Sequence, residues 1–133
     1  MLLPHGTVIA LVDGHNFQLF RNAGNEATPE LDPLPSPTLD THNHSGGSHH
    51  SSSGNHAGSL VSEDAHAIAA VNWLNGQVLG HKIEHLVLIA APRTLGEMRR
   101  HFHKQLEKAL MGELAKDLTG RKGPEILAAL RGK

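Results

Sequence analysis

The sequence predicts an α/β domain in which helices cover a mixed β-sheet. The first observation is the unbroken apolar run Leu86–Ile89, which two alanines and Pro92 follow and which is typical of a strand buried on both faces. The second is the helical spacing of Leu95, Met98 and Phe102 directly after that run. The third is length, because 133 residues suffice for one domain, residues 1–133, with a largely aliphatic core.

The N-terminal part predicts a hairpin and an edge strand. An apolar, β-branched run ends at Val12, and an alternating stretch begins at Asn16, with Asp13 and Gly14 between them as turn residues. Asp13 is therefore interpreted as turn chemistry rather than as a catalytic group. The stretch Glu30–Leu34 predicts a third short strand, and the prolines around it favour the edge of the sheet.

A polar segment and a helix come next. Residues 36–62 are rich in Ser, Gly, His and Asn, which predicts a flexible loop because such a segment buries too little to offset its ordering entropy. Ser62 is the expected N-cap of the following helix, with Glu63 and Asp64 in its first turn. Gly80 is the expected end of that helix.

The C-terminal third contains one ambiguous stretch. Thr94 and Glu97 have the spacing of a capping box, which predicts a helix start there. Pro124 favours a last helix that begins at that residue. Between them a leucine recurs every four residues, which by pattern alone favours a helix. These leucines are Leu106, Leu110, Leu114 and Leu118.

Composition narrows the function classes. Twelve Lys and Arg residues against 13 Asp and Glu residues give a net charge of −1, which provides no bulk attraction to nucleic acid or to a membrane. The absence of cysteine excludes disulfides and thiolate metal ligands. We expect a cytoplasmic protein, because the sequence contains neither a signal-peptide pattern nor an apolar run of about 20 residues.

Histidine is over-represented in the polar segment. Neutral imidazoles bind zinc, nickel and copper, but a stable site also needs rigid ligands and groups that orient them. A Ser/Gly-rich tract supplies neither, so we expect no dedicated cofactor and at most adventitious binding of Zn or Ni. The candidate ligands are His42, His44, His49, His50 and His56.

One helix and the loop beside it are basic. Arg93, Arg99, Arg100 and Lys104 lie close together in the sequence, with two histidines between them. A solvated helix face is the favoured interpretation, and the alternative is a docking patch for an acidic partner or RNA.

Three sequence segments resemble the bacterial host-attachment proteins, a family named for a requirement in attachment to host cells. The segments are VDGHNFQLF, HLVLIAAPRTLGEMR and GELAKDLT, and the resemblance extends from Thr7 to Leu130. That family is similar in fold to the middle domain of archaeal and eukaryotic peptide-chain release factors. The resemblance implies a three-layer ribonuclease-H-like fold in the order β-β-β-α-β-α-β-α, with a five-stranded mixed sheet. It also implies that Leu110 to Asp117 form the fifth strand, against the leucine periodicity.

The resemblance also identifies a loop to compare. Release factors carry a Gly-Gly-Gln motif between the third strand and the first helix, and this chain has Gly46, Gly47 and Ser48 there. The resemblance implies a role in bacterial attachment to host cells. Because serine replaces the glutamine, we expect a non-catalytic binding or regulatory module with an unidentified protein or ribosomal partner. The alternatives are a ribosome-rescue factor that hydrolyses peptidyl-tRNA and a metal-binding protein.

A ribonuclease-H-like fold can also gather carboxylates that bind two Mg²⁺ ions. All the candidates except Asp117 have a structural explanation in the sequence, so we expect no nuclease activity. The candidates are Asp13, Glu63, Asp64, Glu97 and Asp117.

Overall fold

A computed structural model describes residues 1–39 and 56–132, with side chains in the second range from residue 62 onward. Within these ranges the chain forms five strands and four helices. The predicted order holds, except that two short helices rather than one join the fourth and fifth strands. The elements are β1 (Val8–Val12), β2 (Phe17–Asn22), β3 (Leu31–Leu34), α1 (His56–Leu79), β4 (Leu86–Ala90), α2 (Pro92–Arg99), α3 (Lys104–Ala109), β5 (Leu110–Ala115) and α4 (Gly123–Arg131).

The strands form one mixed sheet in the order β3-β2-β1-β4-β5. β1 pairs antiparallel with β2, which pairs antiparallel with β3. On its other side β1 pairs parallel with β4, and β4 pairs parallel with β5. This topology confirms the predicted α/β fold with three antiparallel strands followed by two parallel ones.

Apolar clusters cover both faces of the sheet and produce three layers. On one face, Leu86 and Leu88 of β4 pack with residues of α1, α2 and α3. On the other face, Val87 and Ile89 pack with residues of α4. All five residues of β4 are buried, as the unbroken apolar run predicted.

The hairpin and the edge strand form as predicted. Val12 pairs with Phe17, and the four residues between them form the turn, where the Asp13 amide donates to the Asn16 carbonyl over 3.0 Å. Among the described residues β3 pairs only with β2, so Pro33 lies in an edge strand, where proline is tolerated.

The leucine periodicity is wrong as a helix prediction. The chain changes from α3 to β5 at Leu110, and β5 ends at Ala115 rather than at Asp117. Leu110 packs on the face covered by α1, and Leu114 packs on the opposite face. Pairing with β4, in which Ile89 lies opposite Leu114, therefore overrides the local helical preference.

Two predicted helix starts are also wrong. α1 begins at His56 rather than after a cap at Ser62, so residues 56–62 belong to a helix and not to the predicted loop. A helix continues through Ser and Gly because their low propensity costs at most about 1 kcal/mol each. α2 begins at Pro92, with Ala91 as its N-cap instead of Thr94, and ends at Arg99, before Phe102. No helix in the described ranges is long and apolar enough to cross a membrane.

We predict that Leu88→Ala lowers the free energy of unfolding by about 2–5 kcal/mol, because Leu88 is fully buried in the central part of the sheet. Leu79→Ala is the matched control, since Leu79 is 48% exposed, and we expect a loss below about 1 kcal/mol. Urea unfolding followed by circular dichroism measures both values. Equal losses in the two variants would contradict the central position of β4.

Candidate functional site

Polar side chains gather where the parallel strands β1 and β5 end. Asp13 directly follows β1, and Asp117 and Thr119 lie in the turn after β5. Because the carboxyl ends of parallel strands meet at one edge of a sheet, these residues come together although they are far apart in sequence. We call Asp13, Asn16, Gln18, Asp117 and Thr119 the polar cluster.

Asp13 is the centre of the polar cluster. Its Oδ1 accepts the amides of His15 (2.7 Å) and Asn16 (2.5 Å). Its Oδ2 accepts the side-chain amide of Asn16 and the hydroxyl of Thr119, each over 2.9 Å. Burial raises the pKa of Asp13, but these hydrogen bonds outweigh burial and hold the pKa at about 2. Asp13 is thus an ionised turn residue whose lone pairs are largely occupied, in agreement with the sequence interpretation.

Thr119 connects two carboxylates. Its hydroxyl lies 2.7 Å from Oδ1 of Asp117 and 2.9 Å from Oδ2 of Asp13. A hydroxyl has one hydrogen, so at any moment it donates to only one of the two carboxylates. The neighbouring Gly120 amide donates to Oε1 of Gln18 over 2.9 Å, which fixes the turn after β5 onto the hairpin.

A cleft of about 450 Å³ lies beside the polar cluster. His66 of α1 lines this cleft, and its Nδ1 donates to the Asp13 carbonyl over 2.9 Å, because a carbonyl oxygen only accepts. Burial lowers the pKa of His66, against the opposing effect of that hydrogen bond. The neutral ring therefore keeps Nε2 unprotonated, as an acceptor or a general base. The lining also includes His15, Asn16, Gln18, Ser36 and Leu39.

Sequence reasoning missed Gln18, His66 and Thr119. Gln18 contacts Gly120 across 102 residues of sequence, and His66 and Thr119 contact Asp13 across 53 and 106 residues. Contacts of this kind leave no local sequence pattern from which they could be predicted. Thr119 has one signal in the sequence: it ends the GELAKDLT segment, one of the three segments that carry the family resemblance.

The other candidate carboxylates, Glu63, Asp64 and Glu97, each have different structural contacts. Asp64 accepts from Nη2 of Arg93 at 3.1 Å with both of its oxygens, which joins α1 to α2. Glu97 contacts Arg100 and His101, its neighbours in sequence. The remaining candidate, Glu63, lies so close to Gly14 that a β-carbon at that position would collide with its side chain. In the described ranges, no group of three or more His, Asp or Glu side chains is placed to hold a metal ion.

The predicted basic surface is mostly neutralised within the domain. Besides the Arg93–Asp64 pair, Arg99 Nε lies 2.8 Å from Glu113, and Arg100 lies 3.4 Å from Glu97. Lys104 begins α3 and forms no ion pair with the residues that the structure describes. A role for these four cations in RNA or partner contact stays a prediction.

The remaining predicted site residues fall largely outside the described residues. Gly46, Gly47 and Ser48 lie there, as do His42, His44, His49 and His50. His56 is the first residue of α1. Metal binding by these histidines therefore stays a prediction.

We predict that Asp13→Asn lowers the free energy of unfolding by about 1–2 kcal/mol at pH 7, because the amide cannot accept all four hydrogen bonds. The shift of the Asp13 pKa from 3.8 to about 2 corresponds to a free energy slightly above this range, and the partial exposure of the carboxylate to solvent reduces that contribution. The carboxylate stabilises the fold above pH 3.8 and loses this effect as the pH falls towards 2, so the difference should shrink over that interval. Urea unfolding at pH 7, 4 and 2 measures it.

The matched control is Asp32→Asn on the exposed edge strand β3, for which we expect a change within about 0.5 kcal/mol. A loss at Asp13 that stays constant from pH 7 to pH 2 would contradict the ionised hydrogen-bonding role.

The chain is similar to a known protein family over most of its length. No curated protein matches the chain. The family model described as "Bacterial archaeo-eukaryotic release factor family 12" matches residues 6–130, nearly the whole chain. This match confirms the release-factor part of the resemblance and does not confirm the host-attachment name. The chain belongs to the bacterial archaeo-eukaryotic release factor family 12.

Proposed function

We propose that this protein is a release-factor-like module of translation that associates with the ribosome and does not hydrolyse peptidyl-tRNA. The observation that carries the proposal is the family match over residues 6–130, combined with serine in place of the motif glutamine. The module would act in the cytoplasm, where its partner is.

The position of the motif supports the comparison with release factors. β3 ends at Leu34 and α1 begins at His56, so the Gly46-Gly47-Ser48 sequence falls in the same connection that carries Gly-Gly-Gln in the release factors. Leu39, in the first part of this connection, lines the cleft beside the polar cluster. The connection therefore starts at the same end of the sheet as the polar cluster.

Two chemical features of the connection favour a non-catalytic role. A serine hydroxyl can also donate and accept hydrogen bonds, but its side chain is shorter than that of glutamine and does not reach the position from which the glutamine amide could orient a water molecule. Residues 36–62 also contain no arginine and no lysine, the side chains that supply phosphate affinity to RNA-binding proteins. Ribosome association then requires a contact surface elsewhere on the domain.

The attachment role implied by the resemblance is the finer alternative and rests on that resemblance alone. A translation module would affect attachment indirectly, through synthesis of surface proteins. Immunoblots of the secreted fraction test this route, because detection of the protein outside the cell would contradict it.

We predict that the full-length protein co-sediments with ribosomes or the large subunit in sucrose gradients of a lysate. The expected co-migration follows from the release-factor kinship, and dissociation of the ribosomes at low magnesium should move the protein to the subunit or light fractions. A free tagged protein of similar mass is the control. A position only in the light fractions of intact gradients would contradict the translational role.

We predict that the protein does not hydrolyse peptidyl-tRNA, and a release assay tests this. Bacterial ribosomes that carry formylmethionyl-tRNA should release no formylmethionine above background when the wild-type protein is added, whereas a bacterial release factor at its stop codon should release it. Ser48→Ala is the matched variant. Release by the wild type that Ser48→Ala abolishes would overturn the proposal in favour of a ribosome-rescue hydrolase.

A further inference from the structure

We propose that a basic recess at the amino ends of the parallel strands binds a phosphate group of an RNA backbone. This recess has a volume of about 210 Å³ and lies at the opposite edge of the sheet from the polar cluster. The phosphate site is argued from the charge and size of this recess, and the choice of RNA as its ligand rests on the proposed ribosome association. The lining side chains are His5, Arg21, His81, Lys82, Glu84 and His85.

The strand ends bring these residues together. His5 precedes β1 and His85 precedes β4, and the Val8 amide of β1 donates to the His85 carbonyl over 2.9 Å. Arg21 lies opposite Val8 in the antiparallel β2, so the end of that strand reaches the same edge. The backbone positions of the recess are therefore set by the central strands.

The turn after α1 holds His81 and Lys82 in fixed positions. The His81 amide donates to the Val78 carbonyl (3.0 Å) and the Lys82 amide to the Gln77 carbonyl (2.9 Å), which is the Schellman arrangement. In this arrangement the left-handed residue is usually glycine, yet here it is His81, with φ +61°. Gly80, the predicted helix end, occupies the preceding position. A strained histidine at the rim of a basic recess favours a role for its side chain beyond the turn.

The charges of the recess are available to a ligand. Arg21 and Lys82 are exposed and form no ion pair with the described residues, unlike the three arginines of the α2 region. Glu84 is the one carboxylate of the described lining, so the two cations and this anion give a formal charge of +1 when the histidines are left out of the count. Asp32 of β3 lies opposite Arg21 in the strand register without forming an ion pair.

The chemistry of these side chains suits a phosphate. A guanidinium donates two parallel hydrogen bonds to phosphate oxygens, and an ammonium adds a point charge. The imidazoles add N–H donors, although the Nδ1 hydrogen of His5 is used by the Gly24 carbonyl, 2.7 Å away. The three histidines of the recess are not placed as a metal site within the described ranges.

The size of the recess indicates a phosphate that belongs to a larger molecule. Pockets for whole small ligands hold about 300–1,000 Å³, so the recess is too small for a nucleotide. One phosphate fits while the rest of the ligand lies on the surface outside. A polymer of phosphodiesters meets this requirement, and a chain of net charge −1 needs such a local site to contact RNA.

The test compares two double variants of the full chain in binding a fluorescently labelled single-stranded RNA of mixed sequence. We predict that Arg21→Gln with Lys82→Gln weakens binding at least tenfold. The slope of log K against log salt concentration should fall in magnitude by about 0.7, because the recess holds one phosphate and each neutralised phosphate contributes about 0.7 for a single strand. The control, Lys116→Gln with Arg131→Gln, removes the same two charges from exposed positions elsewhere and should keep the wild-type slope. Fluorescence anisotropy between 50 and 200 mM salt, roughly the range in which such contacts are resolved, measures both.

Three outcomes would overturn the inference. Equal losses of RNA affinity in both double variants would assign the binding to bulk charge. No detectable RNA binding by the wild type would show that the recess is not an RNA site. Polyglutamate that binds as tightly as the RNA, with the same loss in the recess variant, would assign the surface to an acidic protein. Amide shifts of Lys82 and His85 in nuclear magnetic resonance spectra of the wild type, titrated with RNA, check the location without any substitution. Because naked RNA is the probe, this result is separate from sedimentation with ribosomes.

Discussion

The parallel pairing of β1 with β4 is the constraint on which the rest of the protein depends. Five residues of each strand pair in register, from Val8 with Leu86 to Val12 with Ala90, and all ten are buried. Apolar side chains of the pair alternate between the two faces, so helices must cover both. The chain enters both strands at one end of the sheet and leaves both at the other end, and this determines where polar residues outside the strands can meet.

Both candidate sites follow from this pair. At the carboxyl edge, the Asp13 turn is held by its own hairpin and by Thr119 from the turn after β5. At the amino edge, the residues before β1 and β4 meet the turn that ends α1. The residues that we assign to both sites belong to the described ranges, 1–39 and 62–132.

The sequence predicted the elements whose signals are local. The buried β4 and the hairpin around Asp13 each combine a run of apolar residues with a turn former or a helix breaker, and the prolines around β3 favour an edge strand. All three form where expected. The leucine repeat failed because Leu110 and Leu114 gain more from opposite faces of a sheet than from one helix face. The cap at Ser62 failed because a capping residue marks a helix start only if the helix does not already extend beyond it. The sites themselves were less accessible to sequence reasoning, since Thr119, Gln18 and His66 contact Asp13 or Gly120 across 53 or more residues.

The length of β4 has a geometric consequence for how the domain could work. Five residues at about 3.3 Å each place the two ends of the strand about 16 Å apart, with a close-packed interior between them. A molecule seated at one end therefore leaves the other end open. The strand is thus a rigid spacer that keeps the polar cluster and the recess at a constant separation.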